Sequence, residues 1–265
     1  MAYNLIVAVR EVWDTRDLVG NVLDESGQIK DGALDTRFEQ EDLNALEMAL
    51  RIKDDNDATV TAISIGAPKN IDVLRESMYR GVDNVLRIDA NPETIDAQTA
   101  AALIAAAVKD IGDYDLIITG STVADAENSL LGAHIAQALN INSISWVDEL
   151  EEITEDRITA KRAIEMGYEY IETPFPSVIS VGVALLEDDP RTPRNAKAML
   201  KLKKKKETIE TKTPSDLDLD SINSTTTTKV ADYEPVEQRV IESKVIDAED
   251  EDALQSMLNE TLKGE

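Results

Sequence analysis

The sequence predicts an α/β protein: a doubly wound, mostly parallel sheet with helices on both faces, an added antiparallel section and an extended C-terminal arm. Three observations predict it. Short apolar runs alternate with helix-period segments through residue 140. Three β-rich runs with tight turns between them follow at about 147–173. From Glu207 onward the chain turns acidic and Ser/Thr-rich, then ends in one amphipathic stripe. The expected division is an α/β domain over 1–206 and an arm over 207–265.

Leu5–Val9 reads as a buried strand, and Leu43–Lys53 as a helix with Leu43, Leu46, Ala49 and Leu50 on one face. Ala58–Ser64 is the next strand. Pro68 stands where a helix can start, with Ile71, Leu74 and Met78 following at helical spacing. Val85–Ile88 is a strand, and Ile95–Ile111 is an Ala-rich helix closed by Gly112. Leu116–Thr119 and Asn128–Leu139 complete the strand–helix alternation. Val147–Thr154, Arg157–Glu165 and Tyr168–Thr173 read as antiparallel strands turning at Thr154-Glu155-Asp156 and Met166-Gly167, and Val178–Leu185 suits a central strand. In the arm, Ala253, Leu254, Met257, Leu258 and Leu262 share one helix face.

Composition narrows the function. Without cysteine, disulfides, thiol catalysis and thiolate metal sites are excluded; a reducing cytosol is the expected compartment. No apolar run approaches the roughly 18 residues of a membrane helix, so no membrane insertion is expected. Acidic residues outnumber basic ones 53 to 27, a net charge of −26 that repels nucleic acid. A hydrophobic content of 42% argues against disorder for the body of the chain. The expectation is a folded protein from a high-salt cytosol, where counterions screen self-repulsion. Lys201 and Lys203 to Lys206 form a basic cluster, read as a solvated helix end rather than a docking patch.

No catalytic residues are expected. His134 lies within a helix and reads as structural, and no serine has a nucleophile-elbow context. There is neither a P-loop nor a Gly-x-Gly-x-x-Gly after the first strand. What remains is strand-end loops. Ser64-Ile65-Gly66-Ala67-Pro68 and Gly120 to Gly132 each follow a strand and open a helix, where glycine permits close backbone approach and free N–H groups suit a phosphate.

Several local sequences resemble electron-transfer flavoprotein beta subunits. Val7-Ala8-Val9-Arg10-Glu11-Val12-Trp13-Asp14-Thr15 is similar to the opening Val-Lys-Gln-Val-Pro-Asp-Thr of that family. Asn44 to Lys53 looks like its first helix. Ser64-Ile65-Gly66 and Gly81-Val82-Asp83 resemble Ser-x-Gly-Pro and Met-Gly-Ala-Asp. The loop from Gly120 matches the signature of a glycine, an aspartate five residues on (Asp125) and a glycine seven further (Gly132). Asp189-Pro190-Arg191 through the lysine cluster, and Thr213-Pro214-Ser215-Asp216-Leu217, resemble the segment before the arm and the base of the arm. These stretches stand in the family's order.

The resemblance implies a heterodimer with an alpha subunit that holds the redox FAD. This subunit would carry AMP in ordinary members, or a second FAD in electron-bifurcating members. It would act as an electron carrier rather than an enzyme, between acyl-CoA or other flavin dehydrogenases and a quinone oxidoreductase or other acceptor. The implied nucleotide-binding residues are Ala8, Val9, Arg10, Asp14, Ile65, Gly66, Gly120, Asp125, Ser129, Leu130 and Leu131. Ala8 and Ile65 would flank the adenine, Gly120 would pass the ribose, and the helix start near Ser129 would meet a phosphate. Three departures matter. Glu39-Gln40-Glu41-Asp42 replaces Asn-Pro-Phe-Asp; Ser129-Leu130-Leu131 replaces the Asn-Gln-Thr of AMP-type members; and Asn195 stands at the family's recognition-loop leucine. Two leucines cannot hydrogen-bond a phosphate, which tilts the expectation toward FAD. A stand-alone adenine-nucleotide sensor of universal-stress-protein type shares the architecture, but it leaves the antiparallel section and the arm without a purpose.

Overall fold

A computed structural model describes residues 2–16, 18, 20–24, 27–67, 71–122, 130–182, 209–219, 246–247 and 250–262. The chain falls into two compact units, 1–230 and 231–265.

In the first unit, nine strands form one sheet in the order β11-β5-β4-β1-β6-β10-β7-β8-β9. β1 (Ala2–Ala8), β4 (Asp57–Ile65), β5 (Asn84–Ile88), β6 (Leu116–Gly120) and β10 (Ser177–Val181) pair in parallel. β7 (Asn142–Ile153), β8 (Arg157–Ile164) and β9 (Gly167–Pro174) form the antiparallel section. β7 begins earlier than the sequence suggests because it serves two partners. Its first residues run parallel to β10, and after Val147 it pairs antiparallel with β8. At the changeover Trp146 takes φ 59°, and its ring lies against Gly182, where a Cβ would come within 2.9 Å of it. β11 (Glu210–Lys212), unforeseen from sequence, extends the sheet beyond β5, and Leu217 just after it is buried. A separate hairpin pairs β2 (Glu11–Trp13) with β3 (Thr36–Phe38).

The sheet is covered on both faces. α1 (Gln40–Asp55) and α2 (Asp72–Arg80) pack with Leu5, Val7, Val60, Ala62 and Ile118. α3 (Ala97–Ile111) and α4 (Leu131–Leu139) pack on the opposite face with Ile6, Ile63, Ile117 and Val178. Such fully buried Ile and Leu side chains each contribute about 1.5–3 kcal/mol. The helix ends have local causes. Glu39 caps α1 by accepting from the Gln40 amide at 2.9 Å, and Glu41 and Asp42 sit at the positive end of its dipole. Asp96 caps α3 through the Thr99 amide at 2.8 Å, and Gly112 ends that helix with φ 99°. α4 ends at Asn140 in the left-handed region. The expected helix start at Pro68, the residues 128–129 of the last helix and the end of the strand expected to run to Leu185 lie outside the described residues, as do the lysine cluster and Asn195.

Because β1 lies between β4 and β6, the chain winds one way through β4 and β5, then crosses to β6 on the other side of β1. The crevice at the carboxyl ends of β1 and β6 is therefore the switch point at which open α/β sheets bind ligands.

In the second unit, α5 (Glu251–Leu262) carries Met257, Leu258 and Leu262 exposed. Among the described residues no helix is long and apolar enough to cross a membrane.

Candidate functional site

A cleft opens at the carboxyl edge of the sheet, over β1 and β4 and between the first turns of α3 and α4. Ala8, Val9 and Arg10 line it from the end of β1, Ile65 from β4 and Leu131 from α4. Sequence reasoning missed its far wall, where Ile95, Ala97, Ala100 and Ile104 form an apolar face. The small side chains at 97 and 100, in the helix that follows a strand end, were the available signal. The cleft holds about 170 Å³. Pockets for whole drug-sized ligands run to roughly 300–1,000 Å³, so this space suits one flat ring system rather than an entire nucleotide.

Beside the cleft, the ends of β1 and β6 meet the start of α1. Asp42 is fully buried and accepts from Arg10 Nε at 2.7 Å, Arg10 Nη2 at 2.6 Å and the Gly120 amide at 3.0 Å. Arg10 Nη2 also donates to the Thr122 carbonyl at 2.8 Å. The Thr122 amide in turn donates to the Glu41 carboxylate, and the Glu39 amide to the Arg10 carbonyl at 3.1 Å. Burial pushes the Asp42 carboxyl above its ordinary range, while the Arg10 guanidinium opposes that shift. Gly120 is obligatory here: a Cβ would press into the Asp42 carboxylate, lying 2.9 Å from the Asp42 nitrogen and 3.0 Å from Arg10 Nη2. In the sequence the stretch Glu39 to Asp42 stood out only as a departure from the family pattern; neither Glu41 nor Asp42 was read as a site residue, because carboxylates are surface residues by default in so acidic a chain.

The other expected site residues are placed as follows. Gly66 follows Ile65; its amide bonds the Ile88 carbonyl at 3.0 Å, and its carbonyl accepts from Arg87 Nη1 at 2.7 Å. Asp14 is not brought to the cleft. It sits beside the β2–β3 hairpin, 2.5 Å from Arg16 and 3.7 Å from Arg37, and its hydrogen bond from Arg16 lowers its carboxyl to about 2. Leu130 stands half exposed at the N-cap of α4 and offers that helix no side-chain cap. Asp125 and Ser129 lie outside the described residues. Three buried hydroxyls near the strand ends, those of Ser64, Thr119 and Ser121, have no hydrogen-bond partner. Thr119 Oγ1 lies under the first turn of α4, 3.0 Å from where a Cβ on Gly132 would be. Among the described residues, no group of three or more His, Cys, Asp or Glu could hold a metal ion.

Known proteins share this sequence pattern. The family model of the electron transfer flavoprotein domain matches residues 27–217. The caffeyl-CoA reductase–Etf complex subunit CarD of Acetobacterium woodii is 29% identical over 189 residues, 71% of this chain and 70% of that protein. The matched span begins ahead of β3 and takes in α1 to α4 and the turn after β11, and with it the chain belongs to the electron transfer flavoprotein family, as a beta-type subunit.

Proposed function

We propose that this chain is the beta subunit of a heterodimeric electron carrier and binds an adenine nucleotide in the cleft at the carboxyl ends of β1 and β4. Family members are electron carriers with flavin involvement. The observation that carries the nucleotide reading is the ring-sized apolar cleft at the carboxyl ends of β1 and β4, next to the switch point and closed on one side by Leu131 of α4. Ala8 and Ile65 would flank the base, leaving its recognition to backbone groups. Gly120, whose open side is filled by Asp42 and Arg10, would hold the end of β6 beside a ribose. The first amides of α4 would face a phosphate, with the helix dipole adding about 0.3–1 kcal/mol.

The identity of the nucleotide turns on Leu130 and Leu131. Side-chain hydrogen bonds to a charged group contribute about 1.5–3 kcal/mol each, and neither leucine can make one. A monophosphate loses most by that. A dinucleotide spreads its contacts over a second half, so the reading favours FAD over AMP. When bound, the flavin supplies the electron-accepting and electron-donating chemistry. The chain's own residues bind and orient it, and the walls from α3 and α4 keep water from the ring.

The partner subunit would be the alpha subunit, with residues 231–265 as the docking arm through Met257, Leu258 and Leu262. The relative from Acetobacterium woodii is named as part of a reductase–Etf complex, which supports a reading in which this heterodimer works beside a flavin dehydrogenase and passes electrons on to a quinone oxidoreductase or other acceptor. Co-purification of the native chain tests this reading. A yellow partner of alpha-subunit size in equal amount is expected; a colourless chain eluting alone would refute it.

A further inference from the structure

We infer that Asp42 and Arg10 act as a pair of positioning residues for the cleft, and that Arg10 does not serve as the charge partner of a ligand phosphate. This rests on the nucleotide reading above. The Asp42 carboxylate ties three chain segments with three hydrogen bonds: two from the side chain that follows β1, one from the backbone that ends β6, all received at the start of α1. Glu41 and the Thr122 carbonyl extend the grip by two residues along the loop that leaves β6. The tie fixes the end of β6 and the two residues after it against the end of β1, where Ala8, Val9 and Arg10 line the cleft.

The electrostatics give the second half of the inference. One edge of the Arg10 guanidinium, Nε and Nη2, is turned onto Asp42. Glu39 and Glu41 are both buried close by, at 3% and 6% exposure. A phosphate approaching Arg10 would therefore meet a guanidinium already paired with the Asp42 carboxylate, with the Glu39 and Glu41 carboxyl groups buried at the start of the same helix. With Asp42 buried, that repulsion is poorly screened. The positive charge is used within the protein, and attraction for a phosphate is left to the start of α4.

Binding of adenosine and of AMP, which differ only in the phosphate, separates positioning from direct contact. The probe is the full-length chain in its heterodimer after nucleotide removal, measured by calorimetry. Arg10→Met and Asp42→Asn should each weaken adenosine and AMP by the same factor, roughly tenfold. The double variant should be no worse than the poorer single one, the mark of one coupled unit. Arg10→Lys keeps the charge but loses the two-point grip, so it should behave like Arg10→Met. Amide hydrogen exchange at Gly120 and Thr122 should quicken in Asp42→Asn while the sheet centre stays protected. Arg10→Met that loses AMP but keeps adenosine, or Arg10→Lys that restores AMP alone, would overturn the inference; so would unchanged exchange at both amides. Wild-type protein that binds none of adenosine, AMP and FAD would overturn the nucleotide reading itself.

Discussion

Arg10 Nη2 lies 2.6 Å from Asp42 Oδ1, and the same Asp42 oxygen accepts the Gly120 amide at 3.0 Å. Arg10, two residues past the end of β1, and Gly120, the last residue of β6, are thereby joined through one buried carboxylate. The joint sits at the switch point of the sheet, so its rigidity bears on any ligand held there.

Gly120→Ala tests how tightly the joint is built. The added methyl has no room among the Asp42 carboxylate, the Asp42 nitrogen and Arg10 Nη2. Relieving it requires breaking the ion pair or moving the strand end, at a cost of about 1–3 kcal/mol. Chemical denaturation of the two proteins should show the variant less stable by that amount with an unchanged slope. Equal stability would mean that the three groups are looser than drawn.

The acid limb of stability carries a signature of Asp14. Its hydrogen bond from Arg16 lowers its carboxyl from 3.8 to about 2. A depressed folded-state pKa stabilises the fold above the unfolded value, and the contribution is lost as pH falls through the folded one. Asp14→Asn should therefore lower the melting temperature slightly at pH 5–7, with the difference between variant and wild type closing between pH 3.8 and about 2. The effect is small because the pair is exposed. A difference that persists unchanged at pH 2 would contradict the assignment.

Much of this fold was legible from period alone. Apolar runs such as Leu5–Val9 and Leu116–Thr119 are buried on both faces, and strands of that kind need no alternation to be seen. The β2–β3 hairpin and β11 were not legible: each strand has three residues, too few for a period. The site divided in the same way. Ala8, Val9, Ile65 and Leu131 follow from strand-end logic and family resemblance. Asp42 closes the flagged stretch Glu39 to Asp42 but was not read as a site residue, because burial of one carboxylate among 53 acidic residues is not visible in the sequence. Asp14 was grouped with the site by its neighbours in the chain, but the hairpin turns it toward Arg16 and Arg37.

The reach of the arm can be tested by truncation. β11 and Leu217 belong to the sheet and its core, so a cut at 207 would strip an edge strand along with the arm. Deleting 231–265 removes only the second unit. The shortened chain should keep its melting temperature within a few degrees and lose co-purification with the alpha subunit. Full-yield co-purification would contradict the docking role.

Charge sets a further expectation. At −26 the fold works against its own repulsion, which salt relieves. Raising potassium chloride from about 0.1 to 2 M shortens the screening length from roughly 10 Å to 2–3 Å, and the melting temperature should climb across that range. A flat response would argue against a high-salt origin.

The claim that this subunit holds its own adenine nucleotide is tested most directly by denaturing the natively purified heterodimer and quantifying what it releases. Two FAD per heterodimer is the predicted result. One FAD with one AMP would contradict the choice of ligand drawn from Leu130 and Leu131, and one FAD with no second adenine nucleotide would contradict the nucleotide site itself.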